Sequence, residues 1–166
     1  NYAEQLAYWY LRLNGFFLIQ NYVYHQIQEE EENRGYNADA DLLAIRPPYY
    51  YEEIPHLEQD ERGRLQYLRA PLTSDRWLDE FDGRWLGVVV EVKGSEQTRA
   101  QDINNAFSRG RLQVASNRLG LIGNVDDAVI FLMEHPRYDF NFGSIIKLAF
   151  SERVLDGLWM TIPLQQ

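Results

Sequence analysis

The segment Val88–Gly94, with the sequence VVVEVKG, constrains the fold of this chain more than any other. Its β-branched residues favour a strand over a helix. Because side chains alternate between the two faces of a strand, Glu91 and Lys93 share one face. The other face is wholly apolar, which is typical of a strand packed on both sides. Charges in such a strand are costly unless they are paired or bind a metal ion.

A second acid-bearing strand is predicted over residues 38–46, and Pro47-Pro48 ends it because proline cannot continue a strand ladder. Asp39 and Asp41 share one face of this strand. Either acid fits a metal site, and we favour Asp41 because it directly precedes Leu42-Leu43-Ala44. Asp41 reaches Glu91 and Lys93 only if the two strands are neighbours in the sheet, which the sequence permits without requiring.

These three side chains suit the hydrolysis of a phosphodiester bond. Magnesium prefers one or two carboxylates together with water and substrate oxygens, and Asp41 and Glu91 supply the carboxylates. The backbone carbonyl of Val92 is a further candidate ligand. A lysine beside the metal, here Lys93, can orient or deprotonate the attacking water and stabilise the charge of the transition state. The pattern therefore predicts a site that uses Mg²⁺, with Mn²⁺ as a substitute.

Helices and strands alternate around these two segments. A helix is predicted over residues 3–14, ended by Asn14-Gly15, with an apolar stripe of Leu6, Trp9, Tyr10 and Leu13. The longest predicted helix spans 98–119, with a stripe of Ile103, Ala106, Phe107, Gly110 and Val114. Residues 125–134 favour a helix, although Val129-Ile130-Phe131 also fits a strand. Further strands are predicted at 16–25, 85–94, 144–150 and 158–162. Residues 47–84 are predicted as an irregular insertion that allows a short helix at 74–81.

Composition limits the remaining choices. A chain of 166 residues is expected to form a single domain, 1–166, with a core of its own. It contains no cysteine, which excludes disulfides and thiolate zinc sites and fits a cytoplasmic protein. No apolar run approaches the roughly 18 residues that a membrane span needs, so we expect no membrane association. The net charge of −9 argues against a broad nucleic-acid-binding surface, because phosphate binding normally depends on clustered lysines and arginines.

The motif Asp41-Leu42-Leu43-Ala44, followed by Val90-Glu91-Val92-Lys93, resembles the PD-(D/E)xK nuclease superfamily, which includes restriction endonucleases and Holliday-junction resolvases. The segment from Ala3 to Phe17 is similar to the entry of uncharacterised bacterial members. The resemblance implies an α/β fold with a restriction endonuclease-like core: a mixed central sheet flanked by helices, in the order α-β-β-β-α-β. The chain departs from the motif at Ala40, where many members have proline.

The resemblance also implies roles for individual residues. Asp41 and Glu91 would bind the metal, and Lys93 would be the catalytic lysine. Glu4 matches the glutamate that many members carry on their first helix. It shares a helix stripe with Ala7, Tyr8 and Leu11, which would turn it inward, although a first-turn acid also simply favours the helix dipole. The helix after the lysine often faces the substrate in this superfamily, so its arginines and glutamines are candidate phosphate contacts. Most of them fit an ordinary helix surface equally well: Gln97, Arg99, Gln101, Arg109, Arg111, Gln113 and Arg118.

The expected function is that of a magnesium-dependent endonuclease, acting on DNA rather than RNA. A domain of this size has little room to read a sequence, so we expect it to cut according to substrate structure, to form a homodimer, or to be part of a larger defence or repair protein. The alternative is a catalytically silent nuclease fold that binds another protein. Independently of this choice, Glu91 and Lys93 also fit a cross-strand ion pair on a solvated sheet face. The aromatic run Tyr49-Tyr50-Tyr51 fits stacking on unpaired bases in a nuclease, or the edge of the core or an interface patch in either case.

Overall fold

The computed structural model describes residues 2–22, 40–50, 52–70 and 75–164. Helices in this part of the chain are α1 (Tyr2–Leu13), a 3-10 helix (Arg76–Phe81), α2 (Ala100–Ala106), α3 (Arg109–Leu119) and α4 (Asp126–Glu134). Strands are β1 (Phe17–Tyr22), β2 (Ala40–Arg46), β3 (Glu52–Gln59), β4 (Leu65–Ala70), β5 (Trp85–Lys93), β6 (Arg137–Phe140), β7 (Gly143–Ser151) and β8 (Met160–Pro163). None of these helices combines the length and apolarity that a bilayer crossing requires.

Six of the described strands form one mixed sheet in the order β1-β2-β5-β7, with β6 and β8 both paired to β7. The first three strands are antiparallel neighbours, whereas β5 and β7 run parallel. A parallel pair needs a crossover, and the chain segment that carries α2, α3 and α4 supplies it. The prediction of a mixed α/β sheet protein is confirmed at this level.

Helices cover both faces of β5, and residues 86–92 of this strand are buried. The even-numbered residues of β5 pack in a core with Ala7 and Leu11 of α1 and with Phe81 of the 3-10 helix. Val89 packs on the opposite side with Leu43 and with apolar residues of α2, α3 and α4, among them Ile103, Leu112 and Val129. The predicted packing of this strand on both sides is confirmed, and it fixes Glu91 and Lys93 on the α3 side of the sheet.

Helix α1 forms as predicted, but only part of the predicted stripe faces the protein: Tyr10 packs against the core and Leu6 is partly buried. Trp9 and Leu13 are exposed, and the buried positions are Ala3, Ala7 and Leu11. These residues recur every four positions and include two alanines, so the helix backbone approaches the sheet closely. A Cβ atom on Gly94 would lie 2.7 Å from the Cβ of Ala3. Small residues, not the larger apolar ones, therefore dock the start of α1 against the end of β5.

Replacing Gly94 by alanine tests this docking. The added Cβ forces α1 away from β5, and we expect the free energy of unfolding to fall by about 1–3 kcal/mol. The matched control is Gly123→Ala, because nothing lies within 4 Å of a Cβ at that position. Urea denaturation measures the free energy of unfolding of both variants. Equal stability of the two variants would contradict the close approach.

Three further predictions need correction. Residues 52–70 are not irregular, because β3 and β4 form an antiparallel pair whose register shifts after Pro55. The proline obscured β3 in the sequence, since proline is disfavoured within strands. The predicted helix 98–119 is two helices, because Phe107 turns into the core and its N–H bonds to the carbonyl of Asn104. The short strand β6 was missed. The helix at 125–134 and the short helix before Phe81 are confirmed in kind, the latter as a 3-10 helix.

Lys147 is an unpredicted buried amine in the middle of β7, only 2% exposed. Its ammonium group donates a hydrogen bond to the carbonyl of Leu132, in the last turn of α4, and lies 5.8 Å from the centre of the Phe107 ring. Burial lowers the pKa of Lys147 from 10.5 to about 8. The residue ties α4 to the sheet, but it keeps a desolvated charge at neutral pH.

The Lys147→Met variant tests this desolvation. Below pH 8 the amine is protonated in both the folded and unfolded chain, so the full penalty of burying the charge is present. Between pH 8 and 10.5 the folded protein loses the proton first, so the free energy of unfolding of the parent rises relative to that of the variant. Chemical denaturation across this range measures the difference. Ile145→Val, a neighbouring uncharged change, should give a constant offset, and a constant offset for Lys147→Met would refute the interpretation.

Candidate active site

The pairing of β2 with β5 brings the two acid-bearing segments together. Leu42 lies opposite Val90 in the antiparallel register, and one further step along the same register places Asp41 opposite Glu91. The backbone N–H of Val92 donates a hydrogen bond of 2.7 Å to Oδ2 of Asp41. The condition that the sequence left open, that the two strands are neighbours, is therefore met. We refer to Asp41, Glu91 and Lys93 as the charge cluster.

Glu91 and Lys93 form an ion pair within β5, between Oε1 and Nζ. The Glu91 side chain is 8% exposed and that of Lys93 is 35% exposed. The alternative interpretation placed this ion pair on a solvated sheet face. The low exposure of Glu91 contradicts that interpretation. An ion pair in such a position has lost much of its hydration, which makes it a poor device for stability alone.

Glu91 is a weaker acid than an ordinary glutamate, because its pKa is raised. Burial is the largest influence and the charge of Asp41 is the next; together they raise the pKa of Glu91 from 4.5 to about 7, against the hydrogen bond and charge of Lys93 and the charge of Arg111. Two nearby acids that share too few cations behave in this way. The carboxyl group of Glu91 is thus near its titration midpoint at neutral pH.

The other two members of the charge cluster are also perturbed. Burial raises the pKa of Asp41, and the charge of Glu4 adds to the rise, although the Val92 N–H, Lys93 and Arg111 oppose it. For Lys93, burial is the largest single influence and lowers the pKa, but the hydrogen bond and charge of Glu91 and the charge of Asp41 outweigh it. The net pKa of Lys93 is raised, so its amine stays protonated at neutral pH.

Glu4 lies near the charge cluster without completing a metal-binding set. It is partly buried on α1, one residue after the Ala3 that contacts Gly94, and its charge acts on Asp41. Nevertheless, no group of three or more histidine or carboxylate side chains among the described residues is suitably arranged to hold a metal ion. A cation here would therefore have Asp41 and Glu91 as its carboxylate ligands, with the Val92 carbonyl as a predicted addition and Glu4 outside.

The polar residues of the predicted long helix separate into distinct groups. The side chain of Gln101 donates to Asn105, and that of Gln113 donates to Asp126, so both are engaged elsewhere. Arg109 and Arg118 are exposed, whereas Arg111 is partly buried and its charge acts on the whole charge cluster. Arg111 is thus the member of this helix that the fold brings to the site.

Some predicted residues lie outside the described part of the chain, among them Asp39, the alternative ligand, and Tyr51. Of the other two tyrosines, Tyr49 is 79% exposed, and Tyr50 packs edge-on against Phe17. The carbonyl role of Val92 stays a prediction. Its N–H bond to Asp41 was not foreseen, because a strand's register with its neighbour is not written in its own residue pattern.

Comparison with known proteins finds no matching family model, no matching curated protein and no matching solved structure. The functional argument therefore rests on the chemistry and geometry of the charge cluster.

The Glu91→Gln variant tests the acidity of Glu91. Its folded pKa of about 7 lies above the ordinary 4.5, so between these values the folded protein holds a proton that the unfolded chain has released. The free energy of unfolding of the parent therefore falls as pH rises through this window, and the variant escapes that loss, by about 1–3 kcal/mol above pH 7.

Urea denaturation of the metal-free proteins from pH 4.5 to 8 measures the gap between parent and Glu91→Gln. The control is Asn105→Ala, which changes no ionisable group and should shift stability equally at every pH. A gap for Glu91→Gln that does not widen with pH would mean that the carboxyl group is not perturbed.

Proposed function

We propose that this protein is a metal-dependent nuclease that hydrolyses phosphodiester bonds, in DNA rather than RNA. One observation carries the proposal: the buried carboxyl group of Glu91, the partly buried carboxyl group of Asp41 and a lysine meet on one face of neighbouring strands, with the pKa of Glu91 raised to about 7. Perturbed groups of this kind concentrate at functional sites, because a fold gains no stability from them.

The donor set fits a magnesium ion. Asp41 and Glu91 would hold the ion, which accepts one or two protein carboxylates and completes its shell with water and substrate oxygens. The raised pKa of Glu91 supports this assignment, because part of it arises from an uncompensated neighbouring carboxylate. When bound, the ion supplies Lewis acidity towards the phosphoryl oxygens and a lower pKa for a coordinated water.

Lys93 is assigned two roles. In the metal-free site, the hydrogen bond and charge of Glu91 and the charge of Asp41 raise the pKa of Lys93, so its amine is protonated at neutral pH. The protonated amine would donate a hydrogen bond that orients the attacking water, and its charge would stabilise the developing charge on the phosphoryl group. We propose that Glu4 assists from α1 through its charge on Asp41 or through a bridging water.

The arrangement of elements agrees with the PD-(D/E)xK resemblance. Helix α1, strands β1 and β2, the Glu-x-Lys strand β5, helices α2 and α3, and strand β7 occur in the expected order, with α4 and β6 between α3 and β7. The β3–β4 hairpin and the 3-10 helix are inserted between β2 and β5. The insertion lies outside the main sheet, so it leaves the β2–β5 pairing that forms the charge cluster intact.

The proposed nuclease activity predicts that the protein cleaves DNA in the presence of Mg²⁺ or Mn²⁺. We expect the cleavage rate to fall at least about 10²-fold in each of three variants: Asp41→Asn, Glu91→Gln and Lys93→Met. Each variant removes a charged side chain that holds the metal ion or stabilises the charge of the transition state. Glu4→Gln should reduce it less. Cleavage is measured on single-stranded, duplex and branched DNAs and on RNA. The control is Glu96→Gln, an exposed acid in the loop after β5. Full activity in the Lys93→Met and Asp41→Asn variants would overturn the proposal.

A second candidate is a silent nuclease fold that binds another protein, alone or as a homodimer or module of a larger defence or repair protein. Exposed apolar side chains at the end of α1 and the start of β1 favour it: Trp9, Leu13 and Phe17 are each more than half exposed. The net charge of −9 also weighs against a broad DNA-binding surface. A manganese titration separates the candidates, since the nuclease requires uptake that Glu91→Gln abolishes.

A further inference from the structure

Arg111 stands one helical turn before Ala115 on α3, and Ala115 is fully buried against the sheet. Residues four apart share a helix face, so Arg111 extends the packed side of α3 towards its N-terminus. Its partly buried side chain therefore leaves the helix on the side that faces the charge cluster. Arg109, in the same helical turn, is exposed.

The distances along α3 and β5 place Arg111 level with Glu91. At the other end of the helix, a methyl group of Leu119 lies 3.1 Å from the position that a Cβ on Gly87 would occupy. From Leu119 back to Arg111 the helix spans about 12 Å, since each residue rises about 1.5 Å. From Gly87 to Glu91 the strand spans about 13 Å. The two spans are nearly equal, and the charge of Arg111 acts on Glu91, so α3 runs back along β5 from Gly87 towards the charge cluster.

Within the described part of the chain, no hydrogen bond or ion pair commits the guanidinium group of Arg111. Its position is electrostatically unfavourable for the isolated helix, because a cation in the first turn faces the positive end of the helix dipole and no acidic residue of that turn offsets it. A bound anion would remove this conflict. An uncommitted guanidinium group next to a carboxylate-bound cation is the arrangement that a phosphate ester requires, since its oxygens accept hydrogen bonds from arginine.

We propose that Arg111 binds a non-bridging oxygen of the substrate phosphate at the charge cluster, opposite the oxygen that faces Lys93. This inference rests on the proposed nuclease function and adds the protein's own phosphate-binding cation to it. It also answers the difficulty of the acidic surface: the phosphate is held by one arginine on a fixed helix, without a broad basic patch.

The test compares Arg111→Met and Arg111→Lys with the parent. The control is Arg118→Met, which removes an exposed arginine from the other end of α3. Binding of a fluorescent DNA is followed by anisotropy over a range of salt concentrations, in a Lys93→Met background that prevents cleavage. Cleavage is measured in the otherwise unchanged protein, and Mn²⁺ affinity by titration without DNA.

If Arg111 binds the phosphate, Arg111→Met reduces kcat/KM about 10²-fold. It also lowers the salt dependence of DNA binding by about one phosphate contact. Arg111→Lys restores part of both, because it keeps the charge without the paired donors. Mn²⁺ affinity stays equal or increases, because a neighbouring positive charge has been removed. Arg118→Met leaves kcat/KM unchanged.

The inference is overturned if Arg111→Met changes Mn²⁺ affinity or folding stability but leaves the salt dependence and kcat/KM as in the parent, since Arg111 would then only neutralise the carboxylates. Such a result leaves the nuclease proposal standing if the parent cleaves DNA. Conversely, a parent that binds DNA through Arg111 without cleaving it supports the phosphate contact and rejects the nuclease function. A parent that neither binds nor cleaves DNA rejects both.

Discussion

The antiparallel pairing of β2 with β5 is the interaction on which the rest of the site depends. It joins the outer half of the sheet to the central parallel pair, and it also brings Asp41 to Glu91. The hydrogen bond from the Val92 N–H to Asp41 extends the contact between the strands beyond the last backbone pair at Leu42 and Val90. A slip of one residue would move Asp41 to the α1 face and Leu42 to the α3 face, so core packing and site geometry are fixed by one register.

The charge cluster is expensive for the fold to maintain. Two carboxyl groups and an amine lie between the sheet and α3, where burial raises the pKa of both acids and would by itself lower that of Lys93. A sequence under no functional demand would more readily place apolar residues there, as it does at Val89 on the same face. The concentration of unfavourable charge at one end of β5, beside an otherwise apolar core, is the main physical argument for a binding or catalytic role.

Helix α1 shows how the core and the site are linked. Its alanines let the helix backbone approach β5 so closely that Gly94 has no room for a side chain. This contact holds the first turn of α1 beside the end of the Glu-x-Lys strand, which brings Glu4 within electrostatic range of Asp41. Trp9 and Leu13 of the same helix are exposed instead, and with Phe17 they form the surface that favours a protein partner. The two faces of α1 thus support the two candidate functions.

Local pattern determined much of this protein. The valine run of β5, the short acidic strand β2 and the Asn14-Gly15 end of α1 are visible in the sequence because β-branched alternation and helix stops act over a few residues. The same alternation predicted that Glu91 and Lys93 share one face, and the acids Asp41 and Glu91 stood out as candidate metal ligands. The sequence did not predict contacts, burial or pKa shifts that depend on residues far apart in the chain. The buried face of α1 consists of Ala3, Ala7 and Leu11 and leaves Trp9 and Leu13 exposed, because the start of the helix docks so closely that a small residue is needed at position 3. Strand register and helix docking, which only the tertiary structure fixes, decide four further features. They place Asp41 beside Glu91, raise the pKa of Glu91, bury the amine of Lys147, and bring Arg111, rather than the other three helix arginines, to the site.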